Sequence, residues 1–350
     1  MPRRTPSKTT SSRKQQHIEI TLKKNVGFRS KTTGLESLEF VHNALPEIDF
    51  AGIDTGVEFL GRRMNAPLMV SCMTGGYADA LRINRQLAEV CRDAGIAMGV
   101  GSQRQALEDA RFHKTFAIVR EVAGSIPIVG NIGAAEVARM SGPDQVRRLA
   151  EMLKADAFAV HLNPVQEFLQ PEGTPRFRGV LGGIAMLVKK LPIPVIVKEI
   201  GAGISVEVAR RLLDAGVRYI DVAGAGGTSW AGVEALRSTK RDVALRFWDW
   251  GIPTADAVRS VASLKPAVPF TLIASGGIAS GIDAAKCIAL GADLAASARP
   301  MIQELHRGGQ KGLAALLDTW IRELRGVMFL TGSGTLAALR TQPLMNRAGT

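Results

Sequence analysis

Short, continuous apolar runs alternate along the chain with segments of helical periodicity. Eight runs stand out: Leu68–Ser71, Ile96–Gly101, Pro127–Ile132, Ala157–Asn163, Pro194–Ile200, Tyr219–Gly224, Thr271–Gly276 and Leu294–Pro300. They are rich in β-branched residues and flanked by glycine or proline. They are apolar at consecutive rather than alternate positions, as strands buried on both faces of a parallel sheet are. Between them, Leu81–Ala94 carries apolar residues at Leu81, Ile83, Leu87, Ala88 and Cys91. Ser205–Ala215 opens on a capping serine and stops before Gly216, and Ile282–Leu290 stops before Gly291 in the same way. Run starts recur mostly at about 25–35 residues, the length of a βα unit. The interval from Tyr219 to Thr271 is longer; it holds Trp230, Trp248 and Trp250 and is expected to form an elaborated loop.

Eight βα units predict an α/β fold, a (β/α)8 TIM barrel. A doubly wound open sheet is the alternative, since it also alternates strand and helix. The count of eight favours the barrel. So do the polar and glycine residues at the C-terminal end of nearly every run, which a barrel gathers on one face.

Composition narrows the class without changing it. The chain has 350 residues, 46% hydrophobic and 22% charged, enough to bury a sizeable core and ordinary for a globular protein. No stretch approaches 20 uninterrupted apolar residues, so no spanning helix is expected. The net charge is +12, but residues 1–31 carry nine basic side chains against the single acid Glu19 and so account for eight of those charges. Residues 1–12 read as a disordered basic tail. No apolar segment follows them, so they do not read as a secretory signal. The remaining divisions are an N-terminal extension at 13–67 that contributes to the active site, the barrel at 68–340, and a C-terminal tail at 341–350. Cys72, Cys91 and Cys287 fit no metal or redox spacing and read as reduced thiols of a cytoplasmic protein.

The candidate chemistry lies at the run ends. Run 1 is followed by Cys72-Met73-Thr74-Gly75-Gly76, and run 2 by Ser102-Gln103-Arg104, a hydroxyl, an amide and a guanidinium suited to an anionic oxygen. Run 3 ends in Asn131-Ile132-Gly133. Run 4 ends in the densest polar cluster of the chain, His161-Leu162-Asn163-Pro164-Val165-Gln166-Glu167. Run 5 ends in Lys198-Glu199, run 6 in Gly224–Trp230, run 7 in Ser275-Gly276-Gly277-Ile278, and run 8 in Ala298-Arg299-Pro300. Each alone has a plainer reading: a Gly-Gly pair is a turn, His161 a core histidine, Lys198 half of an ion pair, Glu167 a solvated loop charge. On a barrel they share one rim, and glycine turns after strands 7 and 8 suit a phosphate. The chain has no P-loop, HExxH or GxSxG motif.

These stretches, with Arg13-Lys14-x-x-His17, Gln170-Pro171-Glu172-Gly173, Trp250-Gly251-Ile252-Pro253-Thr254 and Met328-Phe329-Leu330-Thr331-Gly332, resemble the type 2 isopentenyl-diphosphate isomerases over about residues 13–340. The resemblance implies interconversion of isopentenyl and dimethylallyl diphosphate with reduced FMN, NADPH as reductant and Mg2+. It implies FMN contacts from Cys72, Met73, Thr74, Gly75, Ser102, Asn131, Lys198, Ala223, Thr228 and Ile278, with Gly276, Gly277, Ala298 and Arg299 around the phosphate. It assigns the diphosphate to Arg13, Lys14, His17, Ser102, Gln103, Arg104, His161 and Asn163, and Mg2+ to Glu167. Gln166 would face the alkene and flavin as a positioner or proton relay, with His161 and Lys198 completing the catalytic set. It further implies a homotetramer or octamer, with neither nucleic acid nor membrane as partner. Three positions depart from the family pattern: Ala223 for a common serine, Ala279-Ser280 where a basic or polar residue often follows Gly-Gly-Ile, and Thr174 for a frequent aspartate.

Two other function classes remain open to the sequence. An FMN-dependent oxidoreductase, of the α-hydroxy-acid oxidase or dihydroorotate dehydrogenase kind, would share the glycine turns and Lys198 but would not need Arg13-Lys14 or Gln166-Glu167. A nucleic-acid-binding module would use the basic N-terminus, which however lacks interleaved aromatics.

Overall fold

The computed structural model describes residues 6–238 and 241–347. Eight parallel strands close into a barrel: β1 (Leu68–Val70), β2 (Ala97–Gly99), β3 (Ile128–Gly133), β4 (Ala157–His161), β5 (Val195–Lys198), β6 (Tyr219–Asp221), β7 (Thr271–Ser275) and β8 (Leu294–Ser297). Each lies within one of the eight apolar runs except β3, which runs one residue past its run to Gly133. β8 pairs with β1 through Ser297 and Val70, which closes the ring. An open doubly wound sheet would leave two unpaired edges, and here there are none.

The consecutive apolar pattern is explained by two packing layers. Met69, Ala97, Val129, Ala159, Ile196, Ile273 and Leu294 fill the barrel interior. The alternate side chains, such as Val70, Met98, Ile128, Val160, Val197 and Leu272, face the helices. Phe59 and Met64, from the hairpin Val57–Phe59/Arg62–Met64, cover the N-terminal mouth, and Phe59 meets the first residue of β6, Tyr219, edge-on at 6.1 Å. The opposite, C-terminal mouth is left for chemistry.

Helix signals in the sequence act as expected. Ser205 caps Val206–Asp214 by accepting from the Val208 amide at 3.3 Å. Ser280 caps Gly281–Ala289 through the Asp283 amide at 3.0 Å, so the departure at Ala279-Ser280 supplies a helix cap. Gly95 ends Ala80–Ala94 in the left-handed region.

Three expectations change. The tail expected to be disordered to residue 12 is already helical from Pro6, in α1 (Pro6–Lys23). Its composition hides this because few of its residues are apolar; polar contacts with the barrel hold it. The C-terminal tail contributes the strand Leu344–Asn346, which pairs antiparallel with Leu38–Phe40. The expected loop between β6 and β7 instead contains α2 (Trp230–Arg237) and the helices Asp242–Arg246 and Thr254–Ala262. After β8 the chain enters α3 (Arg299–Leu330), kinked at Gly309, whose φ is 63°.

Candidate active site

Parallel register sets polar residues side by side. On the last turn of pleat, His161 of β4 lies level with Lys198 of β5, and Lys198 lies level with Asp221 of β6. Asn131 of β3 and Ser275 of β7 are off that level, since register sets Gly133 beside His161 and Ile273 beside Asp221, but their side chains bond His161 and Asp221. His161, Lys198, Asn131 and Ser275, though not Asp221, line a cavity of about 480 Å3 at the C-terminal mouth, within the size range of small-molecule and cofactor sites. α1 lies across it: Arg13, Lys14, His17, Ile18 and Thr21 are all in its wall.

The position of α1 is fixed at both ends of the cavity. Arg299 donates to the carbonyls of Thr21 (3.1 Å) and Lys24 (3.0 Å), occupying the free carbonyls of the helix C-terminus. His17 Nε2 lies 2.8 Å from Glu234 on α2, in a buried contact, and its ring meets Trp230 edge-on at 5.2 Å. Arg237 then bonds Glu234 (2.6 Å) and Glu172. Lys14 donates to the carbonyls of Gly75 (2.9 Å) and Ser102 (2.5 Å), so it bridges the loops after β1 and β2. Burial and the neighbouring Arg13 guanidinium push its ammonium down to about 7. Arg13 is lowered too, first by burial and then by Arg104. Arg104 in turn is held by Glu108 (2.9 Å) and Glu136 (2.8 Å). The result is a wall of three cations, only partly neutralised, on one side of the cavity.

The β4 end supplies the opposite wall. His161 Nδ1 is 2.8 Å from Asn131 Oδ1. Since that oxygen accepts, Nδ1 carries the proton and Nε2 is left as an acceptor. Burial, with Lys198 and Lys14 nearby, pushes the imidazole down to about 3, so it is neutral near pH 7. The helical turn Pro164–Leu169 then presents Gln166 and Glu167. Asn163 donates to both, at 3.1 Å each, while its own Oδ1 is buried with no partner. Glu167 also accepts from the Thr174 amide at 2.6 Å, so the threonine at that position serves the loop through its main chain.

Lys198 is 6% exposed; it donates to the Glu199 carbonyl at 2.6 Å and lies 3.5 Å from the Asp221 carboxylate. Cys72 is also in the wall, with its thiol pushed up to about 12 by burial, which leaves it uncharged.

The far end of the cavity suits an anion. Gly276 and Gly277 take φ of 102° and 74°, and a Cβ on Gly276 would stand 2.1 Å from the Gly224 carbonyl oxygen, so only glycine keeps this turn. The N-terminus of α3 opens at Ala298, which offers no side-chain cap; Pro300 has no N–H and the Met301 and Ile302 amides donate to the Ala298 carbonyl, so it is the Arg299 amide that this end can offer a phosphate. A cationic Lys198, a glycine cradle and a helix N-terminus around one elongated cavity fit FMN. For a metal, Glu167 is the only predicted ligand, and among the described residues no group of three or more His, Cys, Asp or Glu converges. Mg2+ here would need oxygens from a bound diphosphate.

All but two of the site residues read from the sequence line this cavity, including Met73, Gly75, Ala223, Thr228 and Ile278. Gln103 and Thr74 do not. Gln103 is fully buried; it donates to the Leu149 carbonyl at 3.1 Å and accepts from the Asn131 amide at 3.1 Å. It braces β3 instead of meeting substrate. The Thr74 hydroxyl is turned away onto Asn84, which also donates to the Thr74 and Thr115 carbonyls. Both sit in motifs whose neighbours face the cavity, and motif membership cannot say which way a side chain points. Asp221 and Tyr77 were missed. Asp221 carried only a slight signal, as the one charged residue of run 6; its place beside Lys198 comes from the β5–β6 register. The buried Tyr77 hydroxyl, without a partner, had none.

Comparison with known proteins agrees with this geometry. The FMN-dependent dehydrogenase family profile matches residues 7–119 and 139–346. An isopentenyl-diphosphate delta-isomerase of Pelodictyon phaeoclathratiforme is 48% identical over 356 aligned positions, covering 98% of this chain and 99% of the relative. One of Nostoc sp. is 45% identical, covering 99% of each. Among solved structures, the lactate oxidase of Pediococcus acidilactici superposes with a TM-score of 0.68 at 18% identity, covering 97% of this chain and 94% of that one; this is a likeness of fold. No helix among the described residues is long and apolar enough to cross a membrane.

Proposed function

The chain belongs to the isopentenyl-diphosphate delta-isomerase family, within the FMN-dependent dehydrogenase fold, and on that premise we propose that it interconverts isopentenyl and dimethylallyl diphosphate. The observation that carries the reading is the pairing of two features in one cavity. A cationic wall of Arg13, Lys14 and Arg104 faces the polar β4 end of His161, Asn163, Gln166 and Glu167. An α-hydroxy-acid oxidation has no use for a wall able to neutralise the several charges of a diphosphate.

In this reading Arg13, Lys14, Ser102 and Arg104 hold the diphosphate, with His17 fixing α1 over it. His161 is neutral and pinned by Asn131, so it contributes an oriented hydrogen-bonding ring and no charge. Asn163 orients Gln166 and Glu167 together. Glu167 presents a carboxylate oxygen for Mg2+ shared with the diphosphate. Gln166 faces the alkene, and its amide steers or relays a proton, being too weak an acid or base to act as either. Lys198, in the cavity wall, would supply the cation that stabilises negative charge on a reduced isoalloxazine. Bound FMN, reduced by NADPH, would supply proton-transfer chemistry for an allylic shift that leaves no net oxidation. The closed α1 helix excludes water from the cavity. A homo-oligomeric assembly and a cytoplasmic location belong to the same reading.

The test is anaerobic turnover of isopentenyl diphosphate with FMN, Mg2+ and NADPH, beside an oxidised-flavin control. Product in the reduced sample alone is expected. Flavin bound but no product would move the substrate search to the oxidoreductases.

A further inference from the structure

We propose that Asp221, to which the reading above gives no role, is a positioning residue that keeps the Lys198 ammonium charged and aimed at the flavin. The proposal rests on the flavin reading. Asp221 is the last residue of β6 and 2% exposed. One carboxylate oxygen lies 3.5 Å from Lys198 Nζ. The other accepts from Ser275 Oγ of β7 and from the Ala223 amide at 3.3 Å. The carboxylate is thus tied to three adjacent strands, and it supports Ala223, whose φ of 40° an L-residue rarely holds.

A buried ammonium needs a counter-charge, because desolvation otherwise favours the neutral amine. The groups around Lys198 leave that task to Asp221. Cys72, after β1, is a neutral thiol, and His161, on β4, is a neutral ring. Lys14, from α1, has the wrong sign. Glu199 is adjacent in sequence, but its carboxylate is committed elsewhere. Its Oε2 accepts from the amides of Ile200 (2.6 Å), Gly201 (2.6 Å), Ala202 (2.5 Å) and Gly203 (3.3 Å). Its main-chain carbonyl accepts from Lys198, and its carboxylate, which makes no hydrogen bond to the ammonium, acts on it only as a lesser charge. Asp221 is therefore the carboxylate that faces the ammonium.

The experiment measures the flavin midpoint potential against pH, from 7 to 9, in the FMN-loaded wild type and in Asp221→Asn. The variant keeps the side-chain shape and an oxygen for Ser275 and Ala223, but loses the charge. In the wild type, reduction takes two electrons and one proton onto the flavin, and Lys198 is already charged. The potential then falls about 30 mV per pH unit, the two-electron value for one tenfold step. In the variant Lys198 is neutral beside oxidised flavin and takes a second proton when the reduced, anionic flavin forms. The slope doubles to about 59 mV per pH unit, while the reduced flavin keeps its anionic spectrum. Equal slopes with FMN bound in both proteins overturn the proposal. So does a steep slope with the spectrum of neutral reduced flavin, since the extra proton is then on the flavin. If Asp221→Asn does not fold, the wild type still decides: a slope near 59 mV per pH unit with an anionic reduced flavin means Lys198 is not kept charged. A wild type that binds no FMN removes the flavin reading itself, and this proposal with it.

Discussion

Raising the pH from 7 to 9 should lower kcat/KM for the diphosphate about 50-fold, through Lys14. Its ammonium is pushed down to about 7 by burial and by Arg13, so it holds its proton below that pH and loses it above. Only the charged form adds a cation to the wall that receives the diphosphate. At the midpoint about half of the enzyme is competent and two pH units above it about 1%, which is the factor of ~50. The bound anion should restore the proton, so the loss belongs to KM and kcat stays nearly level. Binding at pH 8 should therefore take up roughly 0.9 proton per site, the fraction missing one unit above the midpoint. The assay is a pH–rate profile of the reduced enzyme, with calorimetry in two buffers of different ionisation enthalpy to count protons. Lys14→Met should lose the alkaline limb and show a raised KM at every pH. Other groups do not imitate this limb: Cys72 is pushed up to about 12 and His161 down to about 3. Glu199 is pushed up to about 7 by burial, but its active form is the carboxylate that holds four amides, so its failure lies on the acid side. A wild-type profile flat from pH 6 to 9, or a limb that survives in Lys14→Met, would refute the argument.

The remaining expectations concern other parts of the cavity. Gly276→Ala places a Cβ 2.1 Å from the Gly224 carbonyl oxygen at a φ of 102°; the turn must move, and FMN affinity should fall by at least about tenfold, or ~1.4 kcal/mol. Flavin fluorescence quenching reads this, and an unchanged Kd would contradict the phosphate cradle. Asn131→Ala removes the partner of His161 Nδ1, a hydrogen bond worth about 1 kcal/mol, so kcat/KM should drop several-fold. Combined with His161→Ala the losses should not add, and strict additivity in the double-mutant cycle would separate the two residues. Glu167→Gln should abolish most of the Mg2+-stimulated rate while leaving FMN affinity intact; full activity in chelator would remove the metal from this site.

Much of the fold could be read from local signals. A strand buried on both faces must be apolar along its length, and the eight strands are, apart from polar residues at or near their ends such as Asn131, His161, Lys198, Asp221 and Ser275. The caps Ser205 and Ser280 and the stop at Gly95 are chemically local, so they are visible without neighbours. α1 was not visible, because its helix is stabilised from outside: Arg299, some 275 residues away in sequence, satisfies its last carbonyls. The helices between β6 and β7 were hidden by turn-rich composition, although Ser229 caps α2 through the Gly232 amide at 3.0 Å.

The site divides in the same way. Residue type and order along the chain placed His161, Asn163, Gln166, Glu167 and Lys198 at strand ends, and barrel closure brings strand ends together whatever the loops do. The sequence therefore determined the barrel, its functional face and most of the cavity wall. Side-chain direction was decided only in three dimensions. Gln103 and Ser102 are neighbours in one motif, yet Ser102 faces the cavity and Gln103 braces β3 from behind. The Lys14 ammonium, the neutral His161 and the Asp221–Lys198 pair are tertiary in the same sense. Charge in a buried site depends on which groups are packed within a few ångströms and on how much water they displace, and neither quantity is written in the order of residues.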